Sequence, residues 1–502
     1  MYDMMLAMGY AASSDFNGPV KLSGDVKGAS VLVLGSGLAG MTAAYELRRA
    51  GYKVQILEYN ARPGGRNWSL YGGDVYTELG GATQKVQFAD GLYFNPGPWR
   101  IPYHHQGILH YCKLLGVSME VFTQGNDNAF LHNTKAFGGK PQRVREIAAD
   151  TDGYIAELLA KASSQKQLNG ALSADEKDGF LQILRSWGAL DKNYEYKKSL
   201  QASARRGYDT YPGGGLSPRA IPTDPLPMQA LFQSGLWRSA SSRGAPLFQP
   251  VGGMGMIGKA FGKMLDGVIK YNCKVIKIQQ DDKGVTATYI DSQKGGAPQT
   301  AQADWCVCTI PATVLSQIPM NVGTPMRTGI NSLAYTASVK VGLQFKRRFW
   351  EEDERIYGGI THTDLPISTI GYPSTGYFGT GPAVLLGAYV VGDNVGAYNL
   401  EAMTASEVIK TAVKQGAKIH PQYEKEFQTG VAVAWHRVPW TLGCAAEWTE
   451  ENRAKNYNNM CAMDGRIVLA GEHCSFITGW QEGAVLSALD SISRLHKRVL
   501  SA

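Results

Sequence analysis

The sequence contains no run of about 18 apolar residues, so no membrane-spanning helix is expected. It has no block of five or six like charges, and 50 Lys+Arg against 43 Asp+Glu leave a net charge of only +7. Nothing in it has the electrostatic footprint of a nucleic-acid binder. Seven cysteines are scattered from Cys112 to Cys474 without a C-x-x-C pair, which argues against a disulfide framework and a zinc site. Cys306 and Cys308 stand two apart in an apolar run and should share one strand face. Buried, reduced thiols fit a reducing compartment. His104, His105 and His110 have no third motif at metal spacing, so they read as loop or pocket-wall side chains and no metal is expected. There is no P-loop and no G-x-S-x-G elbow. The opening MYDMMLAMGY lacks a basic flank and carries Asp3, so it does not read as a secretory signal, and a cytoplasmic location is the expectation.

What is present is an ordinary globular composition of 44% hydrophobic and 19% charged residues over 502 positions. That length suggests about three domain-sized units. The 59 glycines exceed the roughly 7% usual share and imply many tight turns or close backbone approaches.

Residues 1–28 read as a short amphipathic helix and a loop. Residues 29–34 (ASVLVL) form an unbroken apolar run of strand length, as a buried parallel strand requires. Residues 38–50 show helical spacing, and residues 53–58 (KVQILE) are a second strand. Together they make a βαβ unit of about 30 residues. Helical patterns follow over 106–115 and 141–205, with Ser173 and Glu176 as a capping box. Residues 207–228 are Gly/Pro-rich and look like a long loop. Strand-like runs at 275–278 and 285–290 flank a turn, and residues 304–310 and 466–470 are further apolar strands. Residues 404–420 read as a helix and 483–500 as a closing helix. A strand-plus-helix at each end implies one nucleotide-binding unit assembled from distant segments.

Gly35-Ser36-Gly37-Leu38-Ala39-Gly40 fits G-x-G-x-x-G between strand and helix. Gly35 allows the tight turn, Gly37 a close approach by a pyrophosphate, and Gly40 close packing of helix on strand. The helix N-terminus offers free N–H groups to phosphate. Glu58 ends the second strand, about 20 residues on, where an acid can accept from ribose hydroxyls. The fingerprint alone leaves NAD and FAD open.

Arg62-Pro63-Gly64-Gly65-Arg66-Asn67-Trp68-Ser69 resembles the R-x-G-G-R-x-x-S/T stretch of the amine oxidase superfamily of flavoproteins. Ala470-Gly471-Glu472-His473 and Gly479-Trp480-Gln481-Glu482-Gly483-Ala484 resemble the C-terminal flavin motif of that superfamily, and Pro250-Val251-Gly252-Gly253-Met254 also matches. The resemblance runs from about residue 30 to 495 and is weakest over 141–245. It implies an α/β protein with a Rossmann-type FAD-binding domain from 29–95, 246–325 and 430–495. A mixed α+β substrate-binding domain would comprise 1–28, 96–140 and 326–429, with a helical domain at 141–245. It further implies that FAD is held by Gly35, Gly37, Leu38, Ala39, Gly40, Glu58, Arg66, Gly80, Gly81, Ala82, Val275, Glu472 and Gln481. Arg66 would meet phosphate, Val275 the adenine, and Glu472 the ribityl chain.

Pro98-Trp99-Arg100-Ile101-Pro102 resembles the M-R-I/L-P segment of L-amino acid oxidases, whose arginine binds the substrate carboxylate through two hydrogen bonds. Trp99 replaces the usual methionine and implies a changed pocket wall. Tyr372-Pro373 resembles the segment whose tyrosine shares that carboxylate. Trp480 matches one ring of the monoamine oxidase aromatic cage, but Ala445 follows Cys444 where the second ring would stand. A bare amine thus loses a wall. Cys444 itself occupies the position of a cysteine that carries flavin covalently. Unattached FAD is expected, with a Cys444 thioether as the alternative. Lys340, alone in the apolar strand 337–345, resembles the lysine that holds a water against flavin N5. Burial would lower its pKa.

The resemblance therefore implies FAD-dependent oxidative deamination of L-amino acids to 2-oxo acids, ammonia and hydrogen peroxide. Hydride would pass from the substrate Cα to flavin N5, with oxygen as acceptor. Lys340 and Trp480 would be catalytic, and Arg100, Tyr372, Gly479 and Trp480 would bind substrate. Bulky apolar or aromatic side chains are favoured, and Trp237, Arg238 and Phe248 should shape their pocket. A homo-oligomer, a dimer, is the family expectation. The alternatives are an oxidase of amines that lack a carboxylate and a non-catalytic flavin-binding protein.

Overall fold

The computed structural model describes residues 14, 16–165, 167, 173–207, 246–392, 399–400 and 402–501. The helix expected within 1–28, the loop at 207–228, and Trp237 and Arg238 fall wholly or largely outside those residues. No helix among the described residues is long and apolar enough to cross a membrane.

Five strands form one parallel sheet in the order Ile269–Lys270, Lys53–Leu57, Ser30–Leu34, Trp305–Cys308, Ile467–Leu469. Side chains alternate across a strand, and here both faces are covered. Val31, Val33, Val307 and Val468 enter one core with helices Leu38–Arg49 and Gln481–Leu500. Leu32, Leu34, Cys306, Cys308, Ile467 and Leu469 enter another beneath the antiparallel meander Cys273–Gln280, Val285–Asp291, Gly295–Ala303. Two buried faces explain why these strands read as continuous apolar runs. Strand order reverses beside Ser30–Leu34, and the crevice beyond the strand ends at that reversal is where α/β sheets place ligands. Gly35 and Thr309 line it.

A second, seven-stranded sheet is mostly antiparallel. Next to one edge Ser338–Phe345 lies between Ala383–Val391 and the edge strand Phe427–Ala434, with all eight residues buried. The strand Phe427–Ala434 runs unbroken through position 430, where the sequence suggested a boundary. Val339, Val341, Leu343 and Phe345 fill the core on one side. Lys340, Gly342 and Gln344 therefore face the other way. Helices Val144–Ser164, Ala174–Trp187 and Leu200–Arg206 pack around Ala156, Ala160, Leu184 and Tyr196. The expected box of Ser173 and Glu176 caps the second of these helices.

The flavin-motif cleft and its buried arginine

The glycine fingerprint is built for close approach. Gly35 has φ +103°, and a Cβ there would stand 2.6 Å from Thr309 Oγ1. A Cβ on Gly40 would meet the Gly35 carbonyl oxygen at 2.0 Å, so only glycine lets this helix sit on the strand turn. Gly37 has open space at its Cβ position, and it lines the cleft together with Leu38 and Ala39. Gly40→Ala should therefore lose its hold on cofactor because the helix must shift off the strand turn, and Gly37→Ala should lose it because a methyl group would enter the space a pyrophosphate needs. The check is the visible flavin absorbance per mole of purified protein, and parental loading of either variant would contradict it.

Three adjoining cavities that share lining residues make up the groove beside this turn. Glu58, Tyr59, Val275 and Trp440 line one end, Gly37, Arg66 and Thr309 its middle, and Gly97, Pro98, Tyr389, Cys444, Gly479, Trp480 and Gln481 the other. Glu58 is buried, and each of its oxygens accepts locally, from Ser36 N and Oγ and from Asn60 N and Nδ2. These four bonds fill the roughly four acceptor sites of a carboxylate, so a ligand hydroxyl would bind Glu58 by displacing one of them. Arg66 lines both compartments, but its Nη1 donates to Glu472 Oε1 at 2.7 Å and to the Cys444 carbonyl at 2.8 Å. Burial alone would raise the Glu472 pKa. The Arg66 charge and the Gly479 N–H hold it below the usual range. The carboxylate thus fixes Arg66 and the Gly479 turn together. Gln481 opens the last helix, whose N-terminus faces the same groove.

Gly80, Gly81 and Ala82 are not brought to the groove. They form the exposed turn between Val75–Thr77 and Thr83–Lys85, and the two glycines have no neighbour within 4 Å of a Cβ position.

Arg100 is 5% exposed, and its Nε and Nη2 lie buried with no hydrogen-bond partner. Its guanidinium sits 5.4 Å from the Trp99 ring and 5.8 Å from the Trp480 ring. Burial pushes its pKa down to about 10, so it remains charged at neutral pH. Among the described residues no carboxylate balances it. Burial keeps two of its titratable neighbours neutral, with His362 pushed down to about 4 and Tyr389 upward, and pushes a third, Lys340, down to about 7. A buried cation without a counter-ion is costly. This one lines a cavity shared with Tyr389, Val391, Ala445, Gly479 and Trp480, and that cavity wall carries no carboxylate or histidine among the described residues.

Tyr372 is the main correction. It is 1% exposed, and its hydroxyl is engaged with Thr361 Oγ1 at 2.8 Å and His420 Nε2 at 2.6 Å inside the sheet core. It lines a different cavity, one that shares Trp99 with the Arg100 cleft. The phenol beside Arg100 is Tyr389, which the sequence reading missed. Tyr389 pairs directly with Lys340 across the neighbouring strands Ala383–Val391 and Ser338–Phe345. The signal was available: Tyr389 interrupts the apolar run LLGAYVV as Lys340 interrupts its own strand.

Lys340 is 2% exposed and donates from Nζ to the Gly97 carbonyl at 2.5 Å, 4.2 Å from the Tyr389 ring. Burial, and then the Arg100 charge, push its pKa down to about 7. Gly97 carries the tight turn before Arg100, because a Cβ there would meet the Arg66 carbonyl at 1.9 Å. Cys444 and Ala445 line the wall with Trp480, as expected, and burial raises the Cys444 thiol. Glu482 was a second miss. Fully buried, it accepts from Gly107 N and Ile108 N and so caps helix Gln106–Leu114. The residue before that helix, His105, packs edge-on to Trp480 at 5.0 Å. Glu482 thereby ties the Arg100 segment to the Trp480 helix.

Comparison with known proteins agrees with this geometry. The model of flavin-containing amine oxidoreductases matches residues 38–491. The chain is 28% identical over 483 residues to the L-amino-acid oxidase of Vipera ammodytes ammodytes, covering 91% of each. It is 28% identical over 486 residues to that of Siganus canaliculatus, covering 94% of this chain and 86% of the other. Among solved structures, cyclohexylamine oxidase from Brevibacterium oxydans superposes with a TM-score of 0.61 at 16% identity, over 94% of this chain and all of the other. The glycine turn, the groove and the match across most of the chain lead to one assignment: this protein belongs to the flavin-containing amine oxidoreductase family.

Proposed function

We propose that the protein oxidises L-amino acids to imino acids, which hydrolyse to 2-oxo acids and ammonia, with FAD as cofactor and oxygen as final acceptor, yielding hydrogen peroxide. The observation that carries this reading is the Arg100 guanidinium, charged, buried and without an acidic partner among the described residues. A carboxylate offered to its fork would form the strong two-bond pair that planar guanidinium favours. Tyr389, kept neutral by burial, supplies an O–H donor to the same group. Gly479 and Trp480 then bound the space for the amino group and Cα. Fixing carboxylate, amine and side chain in three directions selects one configuration at Cα.

Gly37, Leu38, Ala39, Glu58, Arg66, Val275, Glu472 and Gln481 would hold the FAD. When bound, it supplies the two-electron acceptor that is reoxidised by oxygen. The chain orients the substrate and keeps water out. Lys340 Nζ, poised near neutrality, holds or releases a proton beside Gly97. Trp99, Val391, Thr336 and Ala446 leave room for a bulky side chain.

Anaerobic mixing with single amino acids tests the reading. L-Phenylalanine should bleach the flavin band, D-phenylalanine should not, and air should restore colour with one peroxide per turnover. Glycine should be at least tenfold poorer in kcat/KM. Bleaching by cyclohexylamine or putrescine but by no amino acid would replace this reading with oxidation of bare amines.

A further inference from the structure

Cys461 and Cys474 lie outside the groove, behind the turn that carries Glu472. Cys461 ends helix Glu450–Cys461 and is half-buried, and Cys474 ends the buried single turn Glu472–Cys474. The helix and the turn are pinned together at several points. Trp448 Nε1 donates to the His473 carbonyl at 2.9 Å, and Arg453 donates to the Ser475 carbonyl at 3.3 Å. The Arg453 guanidinium also lies 4.4 Å from the Phe476 ring, and Tyr457 packs on that ring at 4.8 Å. Arg494 Nη1 donates to the Cys461 carbonyl. Both cysteines belong to one apolar cluster, both are free, and the side chain of each acts on the protonation of the other.

We propose that Cys461 and Cys474 form a dithiol site that a small hydroperoxide oxidises to an intramolecular disulfide. The asymmetry of the pair sets the order of events. Hydrogen bonding from Cys474, then from Tyr457, and the Arg494 charge lower the Cys461 pKa against the effect of burial. Cys474 is driven the other way. The thiolate is the nucleophile in such chemistry, so Cys461, the more exposed of the two, reacts first. Its sulfur attacks one peroxide oxygen, the O–O bond breaks, and the departing oxygen takes a proton, leaving a sulfenic acid. The Cys474 sulfur then attacks the sulfenic sulfur. The S–S bond forms, the S–O bond breaks, and hydroxide leaves with the Cys474 proton as water. Two thiols lose two electrons, and hydrogen peroxide becomes two waters. The site needs only a peroxide and does not rest on the substrate reading above.

The test uses holoenzyme treated with a few equivalents of hydrogen peroxide, then denatured and alkylated. Two of the seven thiols should be lost, with peptides 461 and 474 joined and released by dithiothreitol. Cys461→Ser should slow the loss at least tenfold while retaining the flavin spectrum. Cys474→Ala should leave a sulfenic acid on Cys461 that dimedone traps, which keeps the question open to measurement if Cys461→Ser folds poorly. Seven alkylated thiols after treatment, oxidation centred on Cys444, or a disulfide joining two chains would overturn the proposal.

Discussion

Arg100→Ala is expected to lower kcat/KM for L-amino acids by roughly two to three powers of ten. That corresponds to the loss of about 3–4 kcal/mol, within the range for truncating one member of a buried, hydrogen-bonded charge pair. Arg100→Lys keeps a charge but not the fork, and about a tenfold loss is expected. The stability of the protein without substrate should move the other way. Arg100 is buried with two unpartnered nitrogens, so removing it relieves a cost and breaks no ion pair. Arg100→Met should melt at the same temperature as the parent or higher, because apolar isosteres of costly buried charges are often stabilising. Steady-state kinetics on L-phenylalanine and a thermal melt decide the matter together. A variant that melts lower and keeps its kcat/KM would make Arg100 structural. This opposition of stability and function is the physical signature of a binding residue held ready for an absent anion.

How much of this was legible in the sequence follows from the range of each signal. The parallel strands were readable because burial on both faces leaves a run such as ASVLVL with no polar alternation. Lys340 was readable because one cation in an apolar strand demands a reason. Tyr372 was misassigned because a local Tyr-Pro match carries no information about which strand lies beside which. Its hydroxyl is consumed by His420, 48 positions away in sequence. The neighbour of Arg100 is fixed by the register that sets Tyr389 opposite Lys340. Gly80 and Gly81 failed for a related reason. Their positive φ values, +89° and +86°, serve a hairpin turn, and adjacent glycines look the same in a cofactor loop. Glu482 sat within a recognised motif, yet its partners are backbone amides of a helix over 370 residues earlier. No local pattern encodes that contact.

Lys340→Met should reduce kcat by about a hundredfold, the lower end for loss of a positioned proton-handling group, with a smaller effect on KM than any Arg100 substitution. The diagnostic is its pH dependence. Lys340 titrates near 7 in the folded protein, against about 10.4 in an unfolded chain. Neutral Nζ is the form able to accept a proton, so the parent should show a rising activity limb centred near pH 7, and Lys340→Met should lack it. Any limb from deprotonation of the substrate amine would remain in both. The stability sign follows from the same shift. Between pH 7 and about 10.4 the unfolded chain binds the extra proton, so stability from this group rises with pH across that window. Well below pH 7 both states are protonated and the full cost of burying the ammonium persists. Lys340→Met removes that cost, so its gain in melting temperature should be largest at pH 6–7 and should shrink toward zero near pH 10. A gain independent of pH would mean that packing, rather than the buried charge, sets the difference. An unchanged limb near pH 7 would move the proton to another group.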